Sequence, residues 1–204
     1  MNIAILTFEG FNELDSFIAA GILNRMQPQG WNVQITSPSP HVTSMNGVTV
    51  TAQQPLEFAN SADAVLFGSG IFTREIAKDD AILNRLKLDP QQQLIGAQCS
   101  GTLLLAKLGF LNGLPACTDS TTKPWVIEAG VKVLTQPFTA QDNIATAGGC
   151  MASQYLATWV IAKLAGNPAA ESAMHYVAPV GEKDASVARC MAIVEPYIGQ
   201  PFTV

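Results

Sequence analysis

Positive charge is scarce in this chain. Its 204 residues include 11 lysines and arginines against 16 aspartates and glutamates, which gives a formal net charge of −5. A protein that binds nucleic acid needs clustered lysine and arginine to neutralise phosphates. The basic residues are scattered along this sequence, so we expect no nucleic-acid partner.

Motifs that bind metals or nucleotides are also missing. No two of the four cysteines form a C-x-x-C pair, and neither histidine is close to a cysteine in sequence. These residues are Cys99, Cys117, Cys150, Cys190, His41 and His175. Structural zinc sites typically use closely spaced cysteine and histidine ligands, so the sequence predicts no metal. G-x-G-x-x-G and Walker sequences are absent as well, and we expect no cofactor.

Long apolar runs are absent, although 48% of the residues are hydrophobic. No run reaches membrane-spanning length, and the N-terminal "MNIAILTFEG" lacks the features of a signal peptide. We therefore expect no membrane contact and a cytoplasmic protein with free thiols. The length predicts a single domain over residues 1–204. The apolar composition indicates that a second subunit covers part of the surface, so we expect a homodimer.

Short apolar runs alternate with segments of helical spacing. The predicted strands are "NIAILTF", "WNVQITS", "ADAVLFGSG", "QLIGAQ", "VKVL" and "NIATA", and "VTSMNGVTVTA" predicts a hairpin at Asn46-Gly47. Helices are predicted over residues 12–26, 79–88, 100–111, 150–166, 169–177 and 184–198, with a short one before residue 130. This alternation predicts an α/β fold with a mostly parallel sheet and helices on both faces.

Cys99 follows the strand "LIGAQ" and precedes the helix "GTLLLAKL". In an open α/β sheet, ligands bind beyond the carboxyl ends of the strands. Gly96, Ala97, Ser100 and Gly101 are small enough to allow a strained turn. The helix N-terminus is expected to favour a thiolate and to bind a developing oxyanion. Cys99 is therefore a candidate nucleophile, and the alternative is a buried structural cysteine.

Cys150 is a second candidate, because "ATAGGCMASQYL" also runs from a strand through glycines and a cysteine into a helix. Gly148 and Gly149 are equally well explained by close backbone packing. Cys117 lies in a predicted strand and Cys190 in an apolar helix stripe, and both positions are typical of the core.

Four stretches of the chain resemble the ThiJ/PfpI superfamily, a branch of the class I glutamine amidotransferase-like fold. They are "IAILTFEGFNELDSFIAAGIL", "ADAVLFGSG", "IGAQCSGTLLLAKLGFLNG" and "ATAGGCMASQYL". The resemblance covers nearly the whole chain, and its third stretch is the most specific. It implies a flavodoxin-like three-layer sandwich with Cys99 as the reactive residue at a strand-to-helix elbow.

The resemblance also implies an acidic residue on the first helix, beside the thiol. The matching position is Asp15, and Glu13 is the neighbouring candidate. Without the resemblance, Asp15 could simply complement the start of a helix capped by Asn12. A carboxyl in contact with a thiolate tends to keep its proton and can act as a general acid.

The same comparison implies an oxyanion site made of backbone N–H groups. The matching groups are those of Ser69 or Gly70 in "FGSG" and of Ser100 after the cysteine. The family usually has glycine where Ser69 stands.

One part of the family pattern is missing, because Asp119 in "ACTDSTTKPW" replaces a histidine that many members carry. Asp119 is either a pocket residue that affects substrate choice or a cap of the next loop. His41 is predicted to lie on the surface, and His175 in the core or on the surface, with a position lining the pocket as the alternative. A Cys–His pair is needed to protonate a leaving amine, so a protease or glutaminase is disfavoured.

Cysteine with aspartate and without histidine resembles the isonitrile hydratase branch. There the cysteine adds to an electrophilic carbon, the aspartate transfers protons, and water completes an N-formamide. The resemblance thus implies a hydro-lyase acting on a small molecule. One alternative is a glyoxalase- or deglycase-like enzyme, which would have glutamate at position 15 and a nearby histidine. The other is a non-catalytic, redox-responsive cysteine protein.

Overall fold

A seven-stranded sheet runs through the centre of the protein, for which a computed structural model describes residues 1–199. Its strands are β1 (Asn2–Leu6), β2 (Asn32–Ser37), β5 (Gln54–Pro55), β6 (Ala64–Phe67), β7 (Leu94–Gln98), β8 (Phe138–Gln141) and β9 (Ile144–Ala147). Their order is β5-β2-β1-β6-β7-β9-β8. Only the edge pair β8–β9 is antiparallel among these strands. The strands β6 and β7 are buried throughout, which explains their continuous apolar sequences.

Helices cover both faces of the sheet. They are α1 (Glu13–Leu23), α2 (Thr73–Ile76), α3 (Asp80–Leu83), α4 (Gly101–Lys107), α5 (Lys123–Glu128), α6 (Ser153–Ala165), α7 (Asn167–Val177) and α8 (Lys183–Val194). Short 3-10 turns occupy Asn24–Gln29, Leu56–Ser61, Cys150–Ala152 and Glu195–Tyr197. One apolar core lies between the sheet and α1, α6, α7 and α8, and a second between the sheet and α2–α5. The predicted three-layer, flavodoxin-like α/β fold with a mostly parallel sheet is confirmed.

The predicted hairpin is also present. Strands β3 (His41–Thr43) and β4 (Thr49–Thr51) pair antiparallel, and Gly47 between them has a φ of 87°. A positive φ is accessible to glycine without steric cost, which is why the Asn-Gly pair predicts this turn. The two strands form a separate small sheet rather than an extension of the central one.

The segment "VKVL" is not a strand, and this part of the prediction is wrong. Val133 makes a single bridge to Ala116, and the edge strand is instead β8. The turn between β8 and β9 includes Asp142, whose φ is 54°. Aspartate tolerates this conformation better than most residues, so "QDNI" carries a turn signal that the prediction did not use.

Several helices are shorter than predicted. The helix expected over residues 79–88 ends at Leu83, and the one expected up to residue 198 ends at Val194. The second ends before Pro196, whose ring cannot continue a helix. None of the helices within residues 1–199 is long and apolar enough to cross a membrane. Residues 200–204, the end of the predicted domain, lie outside the described residues.

Candidate active site at the carboxyl edge of the sheet

Cys99 occupies a sharp turn between β7 and α4. Its φ is 47°, an uncommon value for a residue with a side chain, and its N–H donates to the carbonyl of Ala147 at 2.8 Å. A Cβ atom on Gly101 would lie 2.7 Å from the carbonyl oxygens of Phe67 and Gly68, so only glycine fits there. The strained elbow expected from the small neighbours is therefore present. The Cys99 side chain is almost fully buried, since the residue is 4% exposed.

Asp15 reaches the elbow from α1. Asn12 caps this helix as predicted, because its side chain accepts from the N–H of Leu14 at 3.1 Å. The Asp15 carboxylate does not serve the helix start. One of its oxygens accepts from the Ser69 hydroxyl, and the other has no hydrogen-bond partner within residues 1–199. The residue is 2% exposed, so this carboxylate is a buried acid and not a surface charge.

Cys150 lies at the same place. Its sulfur, the sulfur of Cys99 and a carboxylate oxygen of Asp15 are all within 4.8 Å of one another. Cys150 is half-buried, and its sulfur accepts from the side-chain amide of Asn12 at 3.2 Å. In the linear sequence the two cysteines are rivals for one role. Since β7 and β9 are parallel neighbours, with Gln98 opposite Ala147, the loops that follow them deliver both thiols to one edge.

Gln98 is a site residue that the sequence-based prediction missed. Its side-chain amide donates to the carbonyl of Gly149 at 2.7 Å and lies 3.5 Å from the Cys99 sulfur. The side chain thus connects the turn at Cys99 to the turn at Cys150. A buried polar residue at the end of an otherwise apolar strand was the available signal, because such residues need specific hydrogen-bond partners.

The three groups retain their protons more strongly than exposed groups do. Burial raises the pKa of Asp15, and the hydrogen bond from Ser69, together with smaller effects of the Cys99 and Cys150 thiols, only partly offsets that effect. Burial, followed by the negative charge of Asp15, raises the pKa of Cys99 far above its ordinary value. Burial likewise raises the pKa of Cys150. The raised pKa of Asp15 agrees with the expected protonated carboxyl. The raised pKa of Cys99 is opposite to the shift that the expected resting thiolate requires.

The difference at Cys99 has a physical reason. The helix that begins at Gly101 has seven residues, and a helix N-terminus contributes only about 0.3–1 kcal/mol to an anion at most sites. Desolvation of a buried thiolate is the larger effect here. Burial depth cannot be read from the local sequence. The prediction of a resting thiolate therefore gave too much weight to the helix N-terminus.

The predicted oxyanion donors fall into two groups. The N–H of Gly70 donates to the Ser100 hydroxyl at 3.1 Å, and that hydroxyl also pairs with Thr73 at 2.8 Å. Gly70 is therefore already engaged in this form of the protein. The N–H groups of Ser69 and Ser100 have no acceptor in the described part of the chain. The Ser69 hydroxyl donates to the Asp15 carboxylate, a hydrogen bond that a glycine at this position could not make.

Asp119 caps the loop before α5. One carboxylate oxygen accepts from the N–H groups of Thr121 and Thr122, both at 2.9 Å. These contacts fit the capping alternative, although the charge of Asp119 also raises the pKa of Asp15 and of Cys99. The role of a pocket residue stays a prediction.

Glu13 points toward the hairpin rather than toward the thiols. It accepts from the hydroxyl of Ser44 and from the side chain of Asn46 at 2.8 Å. These hydrogen bonds lower the pKa of Glu13, so this carboxyl is not a second proton donor at the site.

Both histidines are exposed and lie away from the thiols. His41 pairs with Thr51 at 3.3 Å, and the His175 ring is 3.9 Å from Asp184. The prediction that His41 lies on the surface is therefore confirmed.

The remaining two cysteines belong to the interior, as predicted. Cys117 and Cys190 are both buried, and the Cys190 sulfur lies 3.2 Å from the Thr158 hydroxyl. Burial raises the pKa of Cys117 to about 12 and that of Cys190 to about 11. Neither belongs to the cluster of Asp15, Cys99 and Cys150.

Sequence comparison identifies the family of this protein. The sequence model of the DJ-1/PfpI family matches residues 1–163. The chain belongs to the DJ-1/PfpI family. Among curated proteins, no sequence matches this chain.

Solved structures show that this DJ-1/PfpI chain shares its fold with several family members. A THiJ/PfpI family protein from Pseudomonas syringae aligns with a TM-score of 0.75 at 20% identity, over 96% of this chain and 85% of its own. Schizosaccharomyces pombe DJ-1 aligns with a TM-score of 0.74 at 15% identity, over 88% of this chain and 100% of its own. Oxidized Toxoplasma gondii DJ-1 aligns with a TM-score of 0.72 at 18% identity, over 86% of this chain and 97% of its own. At these identities the likeness establishes the fold alone.

Proposed function

We propose that this DJ-1/PfpI protein hydrates small isonitriles, with Cys99 as the nucleophile and Asp15 as proton donor and acceptor. The observation that carries the proposal is the buried Asp15 carboxyl, which lies within 4.8 Å of the Cys99 sulfur and has one oxygen without a partner in residues 1–199. Neither histidine is in contact with these groups, so Asp15 is the proton carrier that the site offers.

The first half of the reaction suits two groups that keep their protons. The terminal carbon of an isonitrile, R–N≡C, accepts both a proton and a nucleophile. Asp15 donates its proton to this carbon while the Cys99 sulfur bonds to it, and the thiol proton passes to the carboxylate. The product is a neutral thioimidate, R–N=CH–S–Cys99, beside a carboxyl that is protonated again. The raised pKa of Asp15 keeps on the carboxyl the proton that this step needs, and the raised pKa of Cys99 means that the thiol must pass its proton to the carboxylate as the carbon–sulfur bond forms.

The second half consumes water. Asp15 protonates the thioimidate nitrogen and accepts a proton from the water that adds to the carbon. The resulting R–NH–CH(OH)–S–Cys99 loses its carbon–sulfur bond, and the hydroxyl proton returns to the sulfur. The N-formamide R–NH–CHO leaves, and both side chains are restored. Ser69 and Ser100 are the proposed backbone donors to the polar atoms of this intermediate, because their N–H groups are not engaged within residues 1–199.

Turnover of a simple alkyl isonitrile tests the proposal. We expect N-formamide to accumulate with wild-type protein, as followed by proton NMR. Cys99→Ser and Asp15→Asn should abolish turnover, whereas the buried but remote Cys117→Ser should retain it. Undiminished turnover in Asp15→Asn, or none with any simple isonitrile in the wild type, would contradict the proposed mechanism.

A redox-responsive role is the second candidate, favoured by the two adjacent sulfurs of Cys99 and Cys150. One of the structural neighbours, T. gondii DJ-1, is described as oxidized. Hydrogen peroxide would convert the Cys99 thiol to a sulfenic acid with release of water, and a second peroxide would give a sulfinic acid. Mass spectrometry would then find two added oxygen atoms on Cys99 in a protein that turns over no isonitrile. Within residues 1–199 no contact favours a deglycase, because position 15 is aspartate and neither His41 nor His175 lies at the thiols.

We further propose that the protein is a cytoplasmic homodimer. The apolar side chains of Leu14, Phe17, Ile71 and Phe72 are exposed on one chain. Ile71 and Phe72 pack around Gly10 and the ring of Phe17 packs against the adjacent Phe11, while Leu14 precedes Phe17 by about one turn of α1. Contiguous apolar surface of this kind is typical of an interface.

A further inference from the structure

The cluster at the two elbows has the composition of a metal site. Asp15, Cys99 and Cys150 each present one ligand atom, and the three atoms lie within 4.8 Å of one another. The residues come from α1 and from the loops after β7 and β9. The prediction of no metal relied on ligands that are close in sequence, and such spacing does not detect a site assembled from three distant segments.

The carboxylate of Asp15 has an unused oxygen. One oxygen is bound by the Ser69 hydroxyl, and the buried second oxygen makes no hydrogen bond of ordinary geometry in the part of the chain that the structure describes, although the Cys99 and Cys150 thiols are close enough to lower the pKa of Asp15. Buried acceptors almost always have a partner in native proteins, so an orphan of this kind indicates a missing proton, water or cation. Of these, a cation would satisfy the carboxylate and both sulfurs together.

The distances and the local charge suit a thiophilic cation. Zn–S bonds are about 2.3 Å and Zn–O bonds about 2.0–2.2 Å, so two ligands of one tetrahedral ion lie about 3.6–3.8 Å apart, roughly 1 Å closer than the limit of 4.8 Å for the three atoms here. Small side-chain rotations therefore bring all three atoms to one ion. Asp119 adds a negative charge near Asp15 and Cys99, and this charge also favours a bound cation.

We propose that Asp15, Cys99 and Cys150 bind one thiophilic divalent cation of the Zn²⁺ class. Two thiolates and one carboxylate leave a fourth tetrahedral position open for water or another small ligand. Binding releases to solvent the protons that the three side chains hold. A bound ion occupies the Cys99 sulfur, so it would block the proposed hydratase reversibly, but the site itself does not depend on that activity.

Cobalt substitution tests the ligand set directly. Co²⁺ is added to metal-free, reduced protein without oxygen. We expect one equivalent per chain to bind, with sulfur-to-cobalt charge-transfer bands and the visible bands of a tetrahedral site. Zn²⁺ should displace it stoichiometrically. Cys99→Ser, Cys150→Ser and Asp15→Asn should each lower Zn²⁺ affinity about tenfold or more in a chelator competition.

Cys117→Ser and Cys190→Ser are matched controls, because both remove a buried thiol outside the cluster. Their Co²⁺ spectra and Zn²⁺ affinities should equal those of the wild type. Circular dichroism of each variant checks that a lost site is not a lost fold. The proposal is overturned if Co²⁺ binds without sulfur bands, or if a folded Cys150→Ser or Asp15→Asn variant keeps wild-type affinity. Isonitrile turnover, assayed separately in metal-free protein, reports on the proposed function alone.

Discussion

Asp15→Asn should stabilise the protein near neutral pH. Asparagine keeps a carbonyl oxygen for the Ser69 hydroxyl and replaces the unpartnered oxygen with an NH₂ group that can donate to the nearby sulfurs. At pH 7 the native state either leaves this buried acceptor without a partner or takes up a proton that the unfolded chain has released, and a penalty of this kind is roughly 1–3 kcal/mol. We therefore expect the free energy of unfolding at pH 7 to rise by about 1–3 kcal/mol relative to wild type.

The gain should depend on pH with a defined sign. Burial raises the pKa of Asp15, so the native state holds its proton at pH values where the unfolded chain has lost it. The free energy of unfolding of wild type then falls as pH rises from the unfolded pKa of about 3.9 through the native pKa. The asparagine of the variant does not titrate, so its advantage should appear over this window and vanish below about pH 4.

Urea unfolding of both proteins between pH 4 and pH 8 measures the effect, at one protein concentration because subunit association would alter stability. For a chain of this size, 1–3 kcal/mol corresponds to a shift in Tm of roughly 2–12 °C. Glu171→Gln is the control, since this exposed acid should change stability by no more than about 0.5 kcal/mol. A variant that is less stable than wild type at pH 7, or equally stabilised at every pH, would refute the reasoning.

Three further predictions follow from neighbouring contacts. Ser69→Ala removes the hydroxyl that lowers the pKa of Asp15, so the upper end of the pH window over which stability falls should lie at higher pH in the variant than in wild type, and an unchanged pH profile would contradict the contact. Gly101→Ala places a Cβ atom 2.7 Å from two backbone oxygens at the end of β6 and should destabilise the protein by about 1–3 kcal/mol, whereas Gly21→Ala, in open space on α1, should be neutral or stabilising by up to about 1 kcal/mol in urea unfolding. Light scattering at micromolar concentration should give twice the 21.6 kDa chain mass, and a monomer mass would disprove the dimer.

The sheet could be predicted because its strands are local and apolar. Strands β1, β6 and β7 are nearly or fully buried, so they appear in the sequence as short runs of hydrophobic residues. The edge strand β8 could not be predicted in the same way. Its burial falls from Phe138 to Gln141, and its more apolar neighbour "VKVL" was chosen instead. Edge strands carry mixed sequences because only part of their surface packs against the core.

The elbow at Cys99 could likewise be predicted, because a backbone turn flanked by small residues is a local property, whereas the clash that requires glycine at position 101 involves the distant carbonyl oxygens of Phe67 and Gly68. The position of Asp15 was predicted only through the family resemblance, since α1 docks on the elbow from a distant part of the chain. Its backbone carbonyl accepts from the hydroxyl of Ser153 on α6 at 3.0 Å, so the docking of α1 involves the helix that follows Cys150. No short motif contains this information.

The proximity of Cys99 and Cys150 depends on the strand order rather than on either sequence motif. Two similar strand-to-helix elbows read as rivals in a linear sequence, yet they become neighbours once β9 pairs with β7. The hydrogen bond from Gln98 to Gly149 then joins the two turns, and Gly149 has a φ of 93° that a larger residue would rarely adopt. A change at either turn is therefore expected to move both sulfurs, because the contacts that hold Cys99 also hold Cys150.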